Sequence, residues 1–319
     1  MAGLPLPPEH RLVVERLVDE ADGVRSVSLR RPDHGPLPEW QPGAHLDLVI
    51  AADLERQYSL CGSPTERDVW QIAVLREPQS RGGSEWVHGI LKEADVVTVR
   101  GPRNHFPLVN SDRYIFIAGG IGVTPLIPMI EEVAERGTSW ELLYGGRSAA
   151  SMAFADRLAR YGSSVRVRPH DEHGLLDLES CLGEPTEGVA VYCCGPEPLI
   201  EAVENRCAVW PSGTLHVERF KPRPGALEGP DGPFEVVLER SKLTVQVAAG
   251  QSIVDALAAA GITVPTSCRE GTCGTCETDV LEGVPDHRDS FLSDAERADN
   301  ETMMICCGRS LTPCLVLDL

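Results

Sequence analysis

No stretch of this 319-residue sequence stays apolar for the ~18–20 residues that a bilayer-spanning helix needs, so no membrane span is expected. Positive charge is scarce. Lys and Arg number 29 against 48 Asp and Glu, a formal net charge of −19. Such a surface repels phosphate backbones and excludes nucleic acid as a partner. It reads either as a solubility feature or as a face that docks on a basic patch of a protein. Internal repeats and low-complexity tracts are missing, and 42% hydrophobic with 24% charged residues is the composition of a folded chain. The proline-rich start, Met1 to His10, lacks the charged-then-apolar pattern of a secretion signal, so a cytoplasmic protein is expected. The length implies two or three domains.

The first hundred residues read as all-β. Arg25 to Leu29 and His45 to Ile50 alternate in polarity, and Tyr58 to Leu60, Trp70 to Arg76 and Asp95 to Arg100 add short strands between Pro, Gly and Asp. A small antiparallel barrel is expected. From Arg113 the pattern changes. Strands at Tyr114 to Ala118, Trp140 to Tyr144, Ser164 to Arg168 and Val189 to Cys193 are separated by helical stretches ending at Arg136, Tyr161 and Cys207. That alternation predicts a parallel sheet with crossover helices. Lys221 to Pro233 is dense in Pro and Gly without apolar periodicity and reads as a linker. Beyond it, Phe234 to Glu239 and Leu243 to Val247 read as a hairpin. Ser252 to Ala260 reads as a helix with Ser252 as N-cap and Gly261 ending it.

Eleven cysteines in a chain of this size without a secretion signal are expected to be thiols, and metal ligands where they cluster. Cys61, Cys181 and Cys207 stand alone and read as buried apolar residues, and Cys314 as a core residue of a last strand, Pro313 to Leu317. Cys268, Cys273 and Cys276 have the spacing C-x4-C-x2-C, and Cys306 follows after a further 29 residues. That is the spacing of a plant-type [2Fe–2S] site, with three thiolates on one loop and a distant fourth. Gly271 and Gly274 would let the backbone approach the sulfides and donate N–H groups to sulfur. A zinc site would call for paired C-x2-C knuckles or histidines, whereas one C-x2-C and a single nearby histidine, His287, are present. Cys306 and Cys307 are adjacent, and position alone leaves the fourth ligand open between them.

Gly119-Gly-Ile-Gly-Val-Thr-Pro125 follows a buried strand and opens a helix, where free N–H groups and the helix dipole attract a pyrophosphate. It is not the G-x-G-x-x-G pattern, and tight packing is the other reading of its glycines. Cys194-Gly195-Pro196 ends a later strand. Both turns fall at carboxyl ends of parallel strands, where open α/β sheets bind ligands. In the barrel, Arg56-Gln-Tyr58-Ser59-Leu60 combines a cation, an aromatic ring and a hydroxyl on one strand. Arg81-Gly-Gly-Ser84 has the makings of a phosphate cradle.

These motifs, in this order and ending in a plant-type cysteine set, resemble the phthalate dioxygenase reductase family along nearly the whole chain. Vanillate O-demethylase reductases and the reductase domains of some self-sufficient cytochromes P450 belong to the same group. The resemblance implies an FMN-binding β-barrel over residues 1–109 and an NAD(P)-binding α/β domain over 110–222. A linker would span 223–233, and a β-grasp plant-type ferredoxin domain 234–319. It implies FMN and not FAD, because such reductases lack an extended adenine-binding loop. Arg56, Tyr58 and Ser59 would line the isoalloxazine and ribityl chain, and Arg81, Gly83 and Ser84 would hold the FMN phosphate. Thr124 would sit by the flavin. Phe220 would stack on it from the interdomain edge, ordinary interdomain packing being its other reading. Gly120, Gly122, Gly195 and Pro196 would bind the dinucleotide, with Cys194 near the nicotinamide. Cys306, which follows the apolar Met303-Met304-Ile305, would be the fourth ligand beside Cys268, Cys273 and Cys276. His88, His105, His170 and His173 are given no role.

The activity implied is hydride transfer from NAD(P)H to flavin, then single electrons through the cluster to a separate oxygenase, Rieske-type or cytochrome P450, by a monomer. No acid–base triad is required and none is evident. A free flavin or ferric reductase would leave the cysteine domain without a use, and a passive carrier would not need the nucleotide turns. A redox-sensing regulator of transcription would need a basic DNA-binding element. For the choice of nucleotide, Arg147 and Ser148 follow the second strand of the parallel sheet, with no acidic residue until Asp156. Arg147 suits a 2′-phosphate, though it could equally face water or the pyrophosphate, and the family does not decide. The reading leans to NADPH, with both nucleotides expected to work.

Overall fold

The computed structural model describes residues 8–51 and 54–319, so Met1–Pro7, on which the reading of the N-terminus largely rests, lies outside the described residues. The described chain divides into two compact units, Pro8–Glu218 and Arg219–Leu319.

The first unit opens with a curled antiparallel sheet. Its strands are β1 (Glu9–Ala21), β2 (Val24–Arg30), β3 (Ala44–Ala51), β4 (Leu54–Ser59), β5 (Trp70–Leu75) and β6 (Val96–Asn104), in the order β4-β3-β6-β1-β2-β5. A single bridge between Leu60 and Ile72 joins the two edges. Inward residues such as Leu12, Val14, Leu46, Leu48 and Trp70 are almost fully buried, each contributing about 1.5–3 kcal/mol by leaving water. Strand β1 is missing from the sequence reading. Its pairing with β2 slips between Val14 and Arg16 and again between Asp19 and Ala21, and each bulge resets which face a residue points to, which hides the alternation.

The same unit continues into an all-parallel sheet of β7 (Arg113–Gly119), β8 (Ser139–Gly146), β9 (Val165–Pro169), β10 (Val189–Cys194) and β11 (Leu215–Glu218), in the order β11-β10-β7-β8-β9. Alternation along β7 decides what each face meets. Tyr114 and Phe116 pack with the helix Leu126–Glu135 through Leu126, Met129, Ile130 and Val133, while Ile115 and Ile117 pack with the helix Glu197–Cys207 through Ile200 and Val203. The first of these cores also takes in Val24, Cys61, Ala73 and Phe106 from the curled sheet, so the two sheets share one interior. The expected helix through Met152 to Tyr161 shrinks to Ala155–Ala159, because Ser148 caps a separate 3-10 turn (Ala149–Ser151) and Phe154 is left-handed at φ 61°.

In the second unit β12 (Phe234–Leu238), β13 (Leu243–Val247), β14 (Glu277–Glu282), β15 (Thr302–Met304) and β16 (Cys314–Leu317) form one sheet in the order β13-β12-β16-β14-β15. The helix Ile253–Ala259 lies on it. Its cap is the expected one: the Ser252 hydroxyl accepts from the Asp255 N–H at 3.1 Å, an interaction that stabilises by about 1 kcal/mol. The Pro/Gly-rich stretch is tied to this unit through its backbone. The Arg223 N–H donates to Ser290 Oγ (2.7 Å), Arg309 donates to the Gly232 carbonyl (2.8 Å), and Arg288 donates to that of Pro230. Cys61, Cys181 and Cys207 are buried as expected. Cys314 is not a core residue. It is half-buried on the face of β16 opposite Leu315 and Leu317, with Sγ 3.6 Å from the Leu315 carbonyl. Among the described residues no helix is long and apolar enough to cross a membrane.

Candidate functional site

The glycines after β7 are there because two turns press on each other. A Cβ at Gly122 would stand 2.7 Å from the Gly195 nitrogen and closer still to the Cys194 carbonyl. One at Gly119 would reach the ring of Pro196 at 2.5 Å. The sequence-predicted residues Gly122, Cys194, Gly195 and Pro196 are thus brought together at the carboxyl ends of β7 and β10. Gly120 differs: it is left-handed (φ 55°) and a Cβ there would meet open space. Gly120–Val123 forms a 3-10 turn before the helix begins at Leu126. Thr124 is buried, and its hydroxyl donates to the Ile121 carbonyl at 2.9 Å.

Beside this turn lies a carboxyl to which the sequence reading gave no role. Glu218 ends β11 as the cross-strand neighbour of Cys194, and Ser59 Oγ, at the end of β4, donates to its Oε2 at 3.2 Å. Desolvation pushes the Glu218 carboxyl up to about 8, the Ser59 hydrogen bond pulling the other way. Burial likewise holds the Cys194 thiol well above its ordinary range, reinforced by Glu218 and Cys193. At neutral pH both groups carry their protons. The consequence for stability has a definite sign. Between about 4.5, the ordinary value, and about 8 the folded protein keeps a proton that the unfolded chain releases, so this group's contribution is complete below that window and is lost as pH rises through it. Glu218→Gln should therefore melt like the parent at pH 4.5 and progressively above it toward pH 9. A melting difference that does not change with pH would refute the shift.

The cationic motifs on the curled sheet also meet. Arg56 donates to the Arg81 carbonyl at 2.7 Å, and a Cβ at Gly83 would run into the Arg56 side chain and lie 3.1 Å from the Tyr58 hydroxyl. Burial raises the Tyr58 phenol to about 12, so it stays neutral. Ser84 is buried, accepting from the Glu77 N–H and donating to Ser80 Oγ, both at 3.1 Å. Phe220 is 39% exposed and lies in the second unit.

At the end of β8, Arg147 is exposed and makes no ion pair among the described residues, whereas Ser148 is occupied in a capping box with Ser151. The Asp171 N–H donates to the Arg147 carbonyl at 3.2 Å. An acidic residue from the neighbouring strand's exit thus stands beside Arg147, which a reading confined to the residues after β8 could not find.

In the second unit the loop after the helix Ile253–Ala259 gathers the thiols. Cys273, Cys276 and Cys306 are buried and Cys268 is partly exposed. The Cys268 thiol is close enough to those of Cys273 and Cys306 for the three to influence one another's protonation. Its Sγ also accepts from the Glu270 and Thr272 N–H groups, both at 3.4 Å, and Thr275 Oγ1 is 3.1 Å from Cys273 Sγ. Gly271 and Gly274 are left-handed (φ 70° and 72°), the conformation that turns the loop's amides toward sulfur. Among the described residues no three His, Cys, Asp or Glu side chains close around a single ion. Four thiols on this loop and the turn after β15, with amide donors to sulfur, are a donor set that fits a [2Fe–2S] cluster. Cys306 and Cys307 lie in a turn after β15 and not in a strand, so the strand rule that sends neighbouring side chains to opposite faces does not choose between them.

Comparison with known proteins agrees with both halves of this geometry. A family model described as an oxidoreductase NAD-binding domain matches residues 116–205, and one described as a 2Fe-2S iron-sulfur cluster binding domain matches 236–310. The chain is 46% identical over 303 residues to phenoxybenzoate dioxygenase subunit beta of Ectopseudomonas oleovorans, covering 94% of each chain. The solved structure of a phthalate dioxygenase reductase, titled a modular structure for electron transfer from pyridine nucleotides to [2Fe–2S], superposes with a TM-score of 0.71 at 36% identity, over 98% of both chains. An intact type IV self-sufficient cytochrome P450 monooxygenase superposes with a TM-score of 0.88 at 46% identity, over 98% of this chain; the chain spans only 41% of that protein.

Proposed function

We propose, from the premise that this chain belongs to the phthalate dioxygenase reductase family, that it takes a hydride from NAD(P)H onto FMN and delivers single electrons through its [2Fe–2S] site to a separate oxygenase. The observation that carries this reading is the presence, in one chain, of the paired glycine turns beside the Ser59–Glu218 contact and of the convergent thiol loop. Flavin, when bound, supplies the conversion between a two-electron hydride donor and a one-electron acceptor.

The chain's own residues do the rest. Gly120, Gly122, Gly195 and Pro196 admit the dinucleotide, the open side of Gly120 being where a pyrophosphate meets no side chain. Cys194 offers the nicotinamide a neutral surface. Arg56 and Arg81, with Gly83 and Ser84, hold the FMN phosphate, while Tyr58, Ser59 and Thr124 bound the ring. Glu218 holds a proton on a carboxyl oxygen next to Ser59 without placing a buried anion beside an incoming hydride. The acceptor is a Rieske-type oxygenase or a cytochrome P450. Residues 234–319 carry 14 acidic against 6 basic residues, which supports docking on a basic face of such a partner. Eleven free cysteines suit a reducing cytoplasm. Purified protein should be yellow-brown and reduce cytochrome c only with NAD(P)H, whereas colourless protein without that activity would end the reading.

Nucleotide choice rests on Arg147. Its free guanidinium is suited to a 2′-phosphate, while Asp171 beside it favours a ribose hydroxyl, so both nucleotides should work. Arg147→Ala is expected to lower the NADPH-to-NADH ratio of kcat/KM about tenfold, equivalent to about 1.4 kcal/mol. An unchanged ratio would show that Arg147 does not touch the 2′ position.

A further inference from the structure

A sheet with one face on a core and the other toward water usually carries polar residues on the outward face. The sheet of the second unit departs from that. Val236, Leu238, Leu315 and Leu317 share a core with the helix Ile253–Ala259. Alternation leaves Val237, Cys314 and Val316, all half-buried, on the opposite face. Val237 and Val316 are register partners on the adjacent strands β12 and β16. The strand β14 adds a leucine to this pair. Its pairing with β16 slips between Val280 and Glu282, so Leu281 is an extra residue set with Glu282 opposite Val316. Leu281 is 49% exposed. The outcome is an apolar strip across three strands, the kind of surface patch that marks an interaction site.

The rim of the strip is acidic. Glu235 and Glu239 on one side and Asp279 and Glu282 on the other are exposed. The basic residues at its end, Arg240 and Lys242, are paired with Asp318 and Glu239. Asp279 and Glu282 make no ion pair among the described residues. The strip also runs up to the thiols. Strand β14 begins at Glu277, the residue after Cys276, and Glu277 pairs with Met304, two residues before Cys306. One corner of the sheet therefore carries two of the four thiols proposed to hold the cluster. A second copy of this chain does not complement such a face, because at a net charge of −19 it would set acid against acid. A protein with a basic rim around an apolar centre does, and an electron acceptor is the partner that has to reach the thiol end.

We infer that the outward face of β12, β16 and β14 is where the protein electron acceptor docks, with Val237, Val316 and Leu281 against its apolar centre and Asp279 and Glu282 against its basic rim. This rests on the proposed electron delivery, and the experiment separates the two claims. The probe is cytochrome c, a basic haem protein. Full-length holoprotein is compared with Asp279→Lys/Glu282→Lys and with Leu281→Ser. A third variant, Glu184→Lys/Glu187→Lys, makes the same charge change at exposed positions of the first unit. The Kd for oxidised cytochrome c is measured by calorimetry without nucleotide, and kcat/KM for its reduction with NAD(P)H. Both are taken at about 0.01 M and about 1 M salt, where charges are screened beyond about 30 Å and about 3 Å.

At low salt Asp279→Lys/Glu282→Lys should raise Kd and lower kcat/KM about tenfold, the equivalent of about 1.4 kcal/mol, and at high salt its kcat/KM should return to the parent's. Leu281→Ser should lower kcat/KM at both salt concentrations, since an apolar contact is not screened. Glu184→Lys/Glu187→Lys should stay close to the parent, and ferricyanide reduction should be unchanged in all three variants. Equal weakening by the two charge reversals, or none by either, overturns the docking face and leaves the electron-transfer reading standing. The same pattern of Kd values in a parent that never reduces cytochrome c would support the face as a binding surface and end the electron-transfer reading.

Discussion

Cys273→Ala should abolish cytochrome c reduction while leaving NAD(P)H-dependent ferricyanide reduction at the parent level. Cys273 is buried in the unit Arg219–Leu319, with Thr275 Oγ1 3.1 Å from its Sγ, and the substitution removes one of the four thiols proposed to hold the cluster. The loss should exceed the about 10–100-fold that deleting an outer partner of a metal site costs. The nucleotide turns and the Ser59–Glu218 contact lie in Pro8–Glu218 and rest on other hydrophobic cores. A chemical oxidant that collects electrons from the flavin half has no need of the thiol loop. Both assays must be run on the same preparation, with flavin content and folding checked. Loss of both activities in a folded, flavin-loaded variant would mean that the two halves do not work in series as separate modules.

The second large effect is expected at Gly122. An added methyl group there points at the Cys194 carbonyl and the Gly195 nitrogen, backbone atoms that cannot rotate away. Gly122→Ala must therefore push the β7 turn off the β10 turn, at about 1–3 kcal/mol for an overpacked site. Nicotinamide nucleotide binding should weaken with it, since the same two turns are the proposed dinucleotide site. Gly120→Ala is the control. It has open space around its Cβ and only a left-handed φ of 55° to pay for, about 1–2 kcal/mol for a non-glycine residue. The outcome expected is a rise in KM for NAD(P)H at least tenfold larger for Gly122→Ala, about 1.4 kcal/mol, with a lower melting temperature. Equal KM values in the two variants would show that turn-on-turn packing does not set the nucleotide site.

What could be read in the sequence was whatever lies close together along the chain. Cys268, Cys273 and Cys276 sit within nine residues, and the Gly119–Pro125 turn within seven, so spacing alone carried their chemistry. The alternation of strands and helices from Arg113 onward was equally legible, because a parallel strand buried on both faces is a solid apolar run, as in Tyr114 to Ala118. What depends on distant partners was not. Glu218 has no local signal along the chain, because its partner Ser59 lies 159 residues earlier. Asp171 reaches Arg147 only because β8 and β9 are parallel neighbours. The stretch before Phe234 has no apolar periodicity because Arg288 and Arg309 hold it by its carbonyl groups, and side-chain patterns do not record that.

Anaerobic rapid mixing with NADH or NADPH measures the order of electron flow through the protein. Holoprotein and flavin-stripped protein are followed at the flavin band and by freeze-quenched electron paramagnetic resonance of the reduced cluster. In holoprotein the flavin should bleach first and the cluster signal should follow, and stripped protein with an intact cluster should give no signal on the same timescale. A cluster signal arising as fast in stripped protein as in holoprotein would contradict the account.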